Sequence, residues 1–141
     1  MTVVNRTATL DASVEEVWAY FSQPENWPEW DPDNVAVAED SEPGIVAGRM
    51  WQIEMKNPKK GQLTFRDVVE HESFSWSVVA LGGAVSGDAT FGFQTAEDGK
   101  TLFSYDFAMS GFLGRLLWRF GRNIVLKGVD GGLSNIIDNV R

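Results

Sequence analysis

The chain of 141 residues contains no cysteine and only one histidine, His71. Without cysteine it can form no disulfide, no thiolate nucleophile and no cysteine-ligated metal site. Aspartate, glutamate and histidine are not spaced as metal ligands. The sequence also has neither a glycine-rich phosphate loop nor the Gly-x-Ser-x-Gly motif of serine hydrolases. These absences argue against metal catalysis, phosphoryl transfer and serine hydrolysis, so the sequence implies no metal and no cofactor.

Long apolar runs are also missing, and basic residues are in the minority. No run approaches the ~18 apolar residues of a membrane-spanning helix, and the N-terminus does not resemble a secretory signal. We therefore expect a cytoplasmic protein. The 12 basic residues against 20 acidic ones give a net charge of −8, which disfavours a nucleic-acid partner. Because the sequence has no repeat, linker or low-complexity segment, we predict a single domain over residues 1–141.

Most of the chain alternates between apolar and polar residues. This pattern predicts strands at residues 2–10, 35–38, 49–56, 63–70, 74–79, 85–95 and 101–110. Runs rich in glycine, proline, asparagine and aspartate separate them, as in turns between antiparallel neighbours. The predicted sheet is an antiparallel meander whose apolar residues lie on one face.

A short helix is predicted between the first two strands. Ser13 and Glu16 have the spacing of a capping box at its start. Its apolar face carries Val14, Val17, Trp18 and Phe21. Pro24 ends this helix, and a second turn with Trp27 and Trp30 follows. So much aromatic surface on such small helices predicts that they pack against the sheet.

The C-terminal third is helical, but its apolar residues form two stripes on nearly opposite sides of one continuous helix. The first stripe consists of Leu113, Leu116, Leu117 and Phe120. The second consists of Val125, Leu126, Val129, Leu133, Ile136, Ile137 and Val140. A straight helix cannot turn both stripes towards one sheet, so we predict a break near Gly121, between helices at about 112–120 and about 123–140. Gly128, Gly131 and Gly132 favour either close packing or free space between the long helix and the sheet.

Four segments carry a family resemblance: residues 12–18, residues 27–32, the Gly48-Arg49 pair and the amphipathic tail at 133–140. Together with the order of elements, they resemble the START-like helix-grip superfamily (SRPBCC) over essentially the whole chain. The chain is most similar to the branch of polyketide cyclases, dehydrases and lipid-transport proteins. The resemblance implies an α+β fold with two short helices after the first strand. In that fold a curved antiparallel sheet of six to seven strands wraps a long C-terminal helix and encloses a hydrophobic cavity.

Three functions are compatible with this resemblance. The first, which we favour, is binding or transport of a hydrophobic or amphipathic small molecule such as a lipid, a quinone or a polyketide. The second is catalysis of polyketide cyclisation or dehydration in the same pocket. The third is a protein-interaction module, which the polar outer face of the predicted sheet disfavours.

Three side chains are candidates for acid–base catalysis. Unbroken alternation places Asp67 on the apolar side of its strand, where a carboxylate often marks a functional site; a β-bulge would turn it to solvent beside Arg66. Tyr105 lies on the apolar face, where its hydroxyl either orients a ligand or is satisfied by its neighbours. His71 is either a general base at the pocket mouth or an ordinary turn residue.

The predicted ligand contacts come from the sheet and the long helix. They are Trp51, Phe65, Asp67, Trp76, Phe91, Phe93, Tyr105, Val125, Val129 and Leu133. The predicted pocket entrance consists of Leu116, Trp118, Arg119 and Arg122. The cationic stripe of Arg115, Arg119 and Arg122 has three interpretations: peripheral membrane contact through residues 112–122, pairing with an acidic ligand head group, or a solvated helix face.

Overall fold

The computed structural model of the protein describes residues 4–31, 44–55 and 59–140, and the backbone of residues 34–37. Its helices are α1 (Val14–Ser22), α2 (Trp27–Trp30) and α3 (Phe112–Asn139), with a 3-10 turn at Pro24–Asn26. Its strands are β1 (Val4–Leu10), β2 (Asn34–Val37), β3 (Met50–Met55), β4 (Lys60–Val69), β5 (Ser73–Ala80), β6 (Val85–Thr95) and β7 (Thr101–Ser110). The predicted α+β class is confirmed. Residues 2, 3, 38 and 56 of the predicted strands lie outside the described residues.

The described strands form one antiparallel sheet in the order β1-β7-β6-β5-β4-β3-β2. Strands β2 to β7 are neighbours in chain order, and β1 pairs with β7 at the far edge. Helix α3 approaches β7, β6 and β1 and also contacts α2. The predicted curved sheet with a long C-terminal helix is therefore confirmed. We call the face on which the three helices pack the inner face.

The capping box predicted at the start of α1 is present. The Ser13 hydroxyl oxygen accepts a hydrogen bond from the Glu16 backbone N–H at 3.2 Å, and the Ser13 N–H donates to Glu16 Oε1 at 3.4 Å. This pairing fixes the helix rotation that buries Trp18 and Phe21 against the sheet. The Trp27 indole N–H donates to the Phe21 carbonyl at 2.9 Å, so α2 is held directly against α1.

The aromatic side chains of α1, α2 and the sheet form the centre of the core. Phe21 lies within 5.4–5.9 Å, between ring centroids, of Phe91, Phe93 and Phe103. Trp30 stacks on Trp76 at 5.6 Å with an interplanar angle of 9°. We call the following set the aromatic core: Trp18, Phe21, Trp27, Trp30, Trp51, Phe65, Phe74, Trp76, Phe91, Phe93, Phe103 and Tyr105. These rings fill one end of the inner face.

Helix α3 is interrupted at Gly121, where φ is −126° and ψ is 24°, so the break predicted there is observed. The two stripes nevertheless end up in different environments. Val129, Ile136 and Val140 of the second stripe are buried. The first stripe does not turn towards the sheet as predicted, since Phe120 is 79 % exposed. None of the described helices is both long and apolar enough to span a membrane.

A glycine, not a large apolar residue, faces the sheet in the first turn of α3. Gly114 is buried, and a Cβ atom on it would lie 3.9 Å from both Met109 and the backbone nitrogen of Ser86. Just before it, Gly111 has φ +84°, and a Cβ there would lie 2.6 Å from the Ala84 carbonyl oxygen. The Leu113 N–H donates to the same oxygen at 2.9 Å. The start of α3 is thus fixed by Gly111, which allows close backbone approach, and Leu113, Leu116 and Leu117 stay 38–41 % exposed.

Candidate functional site

The inner face has a second end, which the aromatic core does not cover. In β3, β5, β6 and β7, the residues that point to the inner face are buried at one end of the strand. Further along the same strands, the inward-pointing apolar residues are only half-buried. We call this set the inner patch: Met55, Val78, Val85, Gly87, Phe107 and Met109. Each of these residues lies on the helix-facing side of the sheet, yet retains contact with solvent.

The inner patch is continuous across the strands. Val78 pairs with Gly87, and Gly87 pairs in turn with Met109. Two glycines in these strands have neighbouring side chains lying over them. A Cβ on Gly61 would lie 2.5 Å from the end of Met55, and a Cβ on Gly87 would lie 3.4 Å from the Phe107 ring. Long side chains therefore lie over glycines in this part of the sheet, and the resulting surface is apolar and shallow.

Helix α3 faces the inner patch with small and half-buried residues. Gly114 lies above the ends of β6 and β7, and Val125 and Leu126 are half-buried. Such a helix face leaves a half-covered apolar surface beneath it, whereas a face of large side chains would close it.

The predicted ligand-contact residues divide into two groups. Six are buried members of the aromatic core: Trp51, Phe65, Trp76, Phe91, Phe93 and Tyr105. They pack against each other and against the rings of α1 and α2, as in the 4.8 Å contact between Phe91 and Tyr105. On α3, Val129 is buried, while Val125 and Leu133 are half-buried. Contact of these residues with a ligand stays a prediction.

Asp67 does not face the inner side of the sheet. It has φ +52°, and the register between β4 and β5 shifts between Arg66 and Val69. Its side chain is 75 % exposed and pairs with Arg66 at 3.1 Å. The predicted orientation of Asp67 towards the apolar side of its strand is therefore wrong, and the alternative of a β-bulge is what the structure contains. The extra residue in the strand reverses the alternation on which the prediction depended.

The other two acid–base candidates, His71 and Tyr105, differ in how deeply they are buried. His71 is exposed in the β4–β5 turn with φ +62°, and its ring meets the edge of Trp18 at 5.7 Å. It therefore lies outside the aromatic core and away from the inner patch, and its interpretation as a turn residue fits this position. Tyr105 is 7 % exposed and in the interior. Of the three candidates, only Tyr105 is placed where it can meet a ligand under α3.

Two buried donors have no acceptor among the residues that the structure describes. The indole nitrogens of Trp30 and Trp51 have no hydrogen-bond partner within the described part of the chain, although the two side chains are 1 % and 3 % exposed. Trp51 pairs across the sheet with Leu63, which pairs with Val78 of the inner patch. An unpaired buried N–H costs about 1–3 kcal/mol. Such groups in a native interior call for a partner beyond those that the described residues supply.

The predicted entrance residues all lie in the first half of α3, which we define as residues 112–124, up to the start of the second stripe. Leu116, Arg119 and Arg122 are exposed and Trp118 is half-buried. The guanidinium carbon of Arg119 lies 5.5 Å from the centre of the Phe120 ring. The role of these four residues as an entrance stays a prediction. The described residues contain no group of three or more histidine, aspartate or glutamate side chains that could hold a metal ion.

The sequence reasoning missed the inner patch itself, apart from assigning its members to one strand face. It chose the largest aromatic residues as ligand contacts, but those side chains are the ones that α1 and α2 bury. A usable signal was present: Gly87 occupies an inner-face position of a predicted strand, and glycine at such a position often marks close approach by another group.

The comparisons with known proteins agree on the fold. A model of the family described as polyketide cyclase/dehydrase and lipid transport matches residues 1–141. No curated protein sequence matches the chain significantly. A hypothetical protein of Helicobacter pylori has a TM-score of 0.81 at 9 % identity, with 99 % of this chain and 88 % of that chain covered.

Two further solved structures have the same architecture. A conserved protein of Geobacillus kaustophilus has a TM-score of 0.73 at 15 % identity, with 99 % of this chain and 95 % of that chain covered. A point mutant of norcoclaurine synthase from Thalictrum flavum, in complex with a transition-state analogue, has a TM-score of 0.70 at 12 % identity, with coverages of 99 % and 93 %. At these identities the likeness shows a common fold and nothing finer.

Proposed function

The chain belongs to the polyketide cyclase/dehydrase and lipid transport family, and we propose on this basis that it binds a hydrophobic or amphipathic small molecule between α3 and the inner patch. The family's fold is one that binds hydrophobic ligands. A lipid, a quinone or a polyketide has the required apolar body. The single observation that carries the proposal is that the inner patch is apolar, faces the helix and is still only half-buried.

Apolar burial supplies the driving force for such a complex. Val78, Phe107 and Met109 keep solvent contact in the free protein, and a ligand that covers them gains about 25 cal/mol for each Å² of apolar surface removed from water. The association costs are subtracted from this gain. The closed aromatic core next to the patch supplies a rigid wall, so the site is preorganised and its own ordering costs little.

The two buried indoles that lack an acceptor among the described residues indicate which polar group the ligand carries. The indole N–H is a donor only, so its partner has to be an acceptor such as a carbonyl, a carboxylate or a hydroxyl oxygen. Trp51 lies in the same cross-strand row as Val78 and Gly87. A ligand with its apolar body on the inner patch and an acceptor near Trp51 satisfies both features.

Two neighbouring valines allow a matched test of the site. Val78 lies in the inner patch, whereas Val79 lies on the opposite face of the same strand. We expect Val78→Phe to weaken binding of oleic acid about tenfold or more, because the larger ring occupies the proposed ligand space. Val79→Phe should leave binding unchanged. Affinity is measured by displacement of 1-anilinonaphthalene-8-sulfonate, and native mass spectrometry of the bacterially expressed protein identifies molecules carried from the cell.

The contribution of the Trp51 indole N–H as a hydrogen-bond donor to the ligand is tested in the same assay. Trp51→Phe keeps an aromatic side chain but removes the N–H, so oleic acid should bind several-fold more weakly while octadecene, which has no acceptor, is unaffected. Equal affinities of the Val78→Phe and Val79→Phe proteins for oleic acid contradict the location of the site. A purified protein that carries no ligand and binds neither probe contradicts the function as a whole.

A further inference from the structure

The outer side of α3 carries a row of exposed apolar side chains. We call this row the outer stripe: Phe112, Leu113, Leu116, Leu117, Phe120 and Ile124. Phe112, Phe120 and Ile124 are 73 %, 79 % and 74 % exposed. At 100° per residue, the five members that precede Gly121 span an arc of about 140°. A continuous apolar arc of this width usually faces a partner, not water.

The same part of the chain has a charge opposite to that of the whole protein. Residues 107–129 contain four of the 12 basic residues and none of the 20 acidic ones. Arg115, Arg119 and Arg122 are exposed, and no carboxylate within the described residues forms an ion pair with them. On the helix wheel the three arginines lie together along one edge of the outer stripe.

We propose that the first half of α3 docks on an anionic lipid surface. In this arrangement the outer stripe enters the boundary between head groups and acyl chains, and the flanking arginines contact the lipid phosphates. Amphipathic helices with large apolar residues beside basic ones bind membranes in this way, lying in the plane of the surface. The acidic remainder of the chain is repelled by the same surface, so docking occurs with one orientation only.

The dimensions of the outer stripe favour a lipid surface over a second copy of the chain. The stripe is one helix wide, about 10 Å, and about 18 Å long. Stable protein interfaces bury about 800 Å² on each partner, several times this footprint. A bilayer needs no shape-complementary partner surface, and its depth accommodates a single projecting helix.

The proposed docking surface is separate from the proposed ligand site but lies close to it. The side of α3 that carries Gly114 faces the ends of β6 and β7, while the outer stripe faces away. The same helix would therefore touch the membrane on one side and cover the inner patch on the other. This arrangement brings the site close to the source of an amphipathic ligand.

Vesicle flotation tests the proposal with matched variants. The probes are vesicles of phosphatidylcholine alone and vesicles with about 30 % phosphatidylglycerol. The wild-type protein should float with the anionic vesicles only, and less so in high salt. Phe112→Ser with Phe120→Ser should reduce partitioning at least about tenfold, because two exposed rings are lost. The control is Leu102→Ser, which removes a 42 % exposed apolar residue from β7, and it should float like the wild type.

The arginines are tested separately. Arg115→Gln, Arg119→Gln and Arg122→Gln combined should reduce partitioning by about fivefold for each charge removed. Lys59→Gln with Lys60→Gln, at exposed positions away from α3, should have no effect. Because Phe112 and Phe120 are mostly exposed, their replacement should leave the thermal unfolding midpoint and vesicle-free displacement of 1-anilinonaphthalene-8-sulfonate unchanged.

Three outcomes overturn the proposal. The wild-type protein floats with neither vesicle type, or the two phenylalanine replacements do not reduce flotation. In the third, sedimentation equilibrium finds a wild-type dimer that the same replacements dissociate, which means that a second copy covers the stripe. Probe displacement in vesicle-free solution is measured on the same samples, so failure of the ligand site is distinguished from failure of docking.

Discussion

The two halves of α3 have similar numbers of apolar residues but opposite environments. In the second half, Ile136 is fully buried, Asp130 pairs with Arg6 at 2.7 Å, and the Asn135 side-chain amide donates to the Trp30 carbonyl at 3.1 Å. In the first half, Phe120 and Ile124 are mostly exposed. The second half is therefore part of the structural core, and the first half is available for binding.

The difference follows from what lies opposite each half. The second half meets α2 and β1, which offer both apolar rings and hydrogen-bonding groups. The first half begins at Gly111, where a Cβ would lie 2.6 Å from the Ala84 carbonyl oxygen, and it meets the ends of β6 and β7 through Gly114 and not through a large side chain. We conclude that helix amphipathicity identifies a face with affinity for a partner, and that the partner need not be the chain's own sheet.

The largest expected effect is on the free energy of unfolding, when alanine replaces one isoleucine in each half of this helix. Ile136→Ala should lower the free energy of unfolding by about 2–5 kcal/mol, because it opens a cavity in the core. Ile124→Ala should change it by no more than about 0.5 kcal/mol, since Ile124 is 74 % exposed. Urea denaturation measures both. Equal losses would mean that the two halves contribute alike to stability and that the comparison is wrong.

An intermediate effect concerns the fixed start of the first half. Gly111 and Gly48 both have φ +84°, but only at Gly111 would a Cβ meet backbone atoms within 3 Å in the described chain. Gly48→Ala should cost about 1–2 kcal/mol from backbone strain alone. Gly111→Ala should cost about 1–3 kcal/mol more, because the Ala84 carbonyl cannot retreat.

Urea denaturation also measures the free energies of unfolding of the Gly48→Ala and Gly111→Ala variants. Far-ultraviolet circular dichroism of the two alanine variants reports whether α3 remains helical. If Gly111→Ala is no more destabilising than Gly48→Ala, the close contact between the start of α3 and the β5–β6 connection does not hold the helix in place.

The smallest expected effect depends on pH. Tyr20 is partly buried and its hydroxyl donates to Glu29 Oε2 at 3.4 Å, while the side-chain amide of Asn139 in α3 donates to the Glu29 backbone carbonyl, also at 3.4 Å. Burial first, and then the charge of Glu29, raise the pKa of Tyr20 above its usual 10.0. The unfolded chain therefore ionises first, so the stabilisation is complete below pH 10 and is lost as the pH rises further.

This loss should amount to at most about 1.4 kcal/mol per pH unit above pH 10, measured relative to Tyr20→Phe. Urea denaturation of both proteins at pH 9, 10 and 11 checks it, and the phenylalanine variant accounts for the titration of the lysines and of the other tyrosine, Tyr105. If the free energies of unfolding of the two proteins change in parallel with pH, Tyr20 does not contribute to anchoring the second half of α3.

Local features of the fold were predictable from the sequence because short-range chemistry determines them. The capping box of Ser13 and Glu16 depends only on residues three apart. The break at Gly121 follows from two apolar stripes that no straight helix can present to one sheet. The strands of the meander follow from alternation and turn residues.

The candidate site was less predictable, since it depends on which surfaces compete for burial. Trp51, Phe65 and Trp76 lie on the predicted face, but whether they line a space or fill it depends on how deeply Trp27 and Trp30 insert. The orientation of Asp67 depends on one extra residue in β4, which alternation cannot reveal.

The amino-acid sequence by itself determined the elements, their order, the apolar face of the sheet and the acidic character of the chain outside residues 107–129. Only the tertiary structure decided which end of that face is filled, and which stripe of α3 turns outwards. The physical reason is that periodicity specifies the relative directions of side chains within one element. Their final environment is set by long-range packing, where large rings occupy the available volume first and glycines let backbones approach.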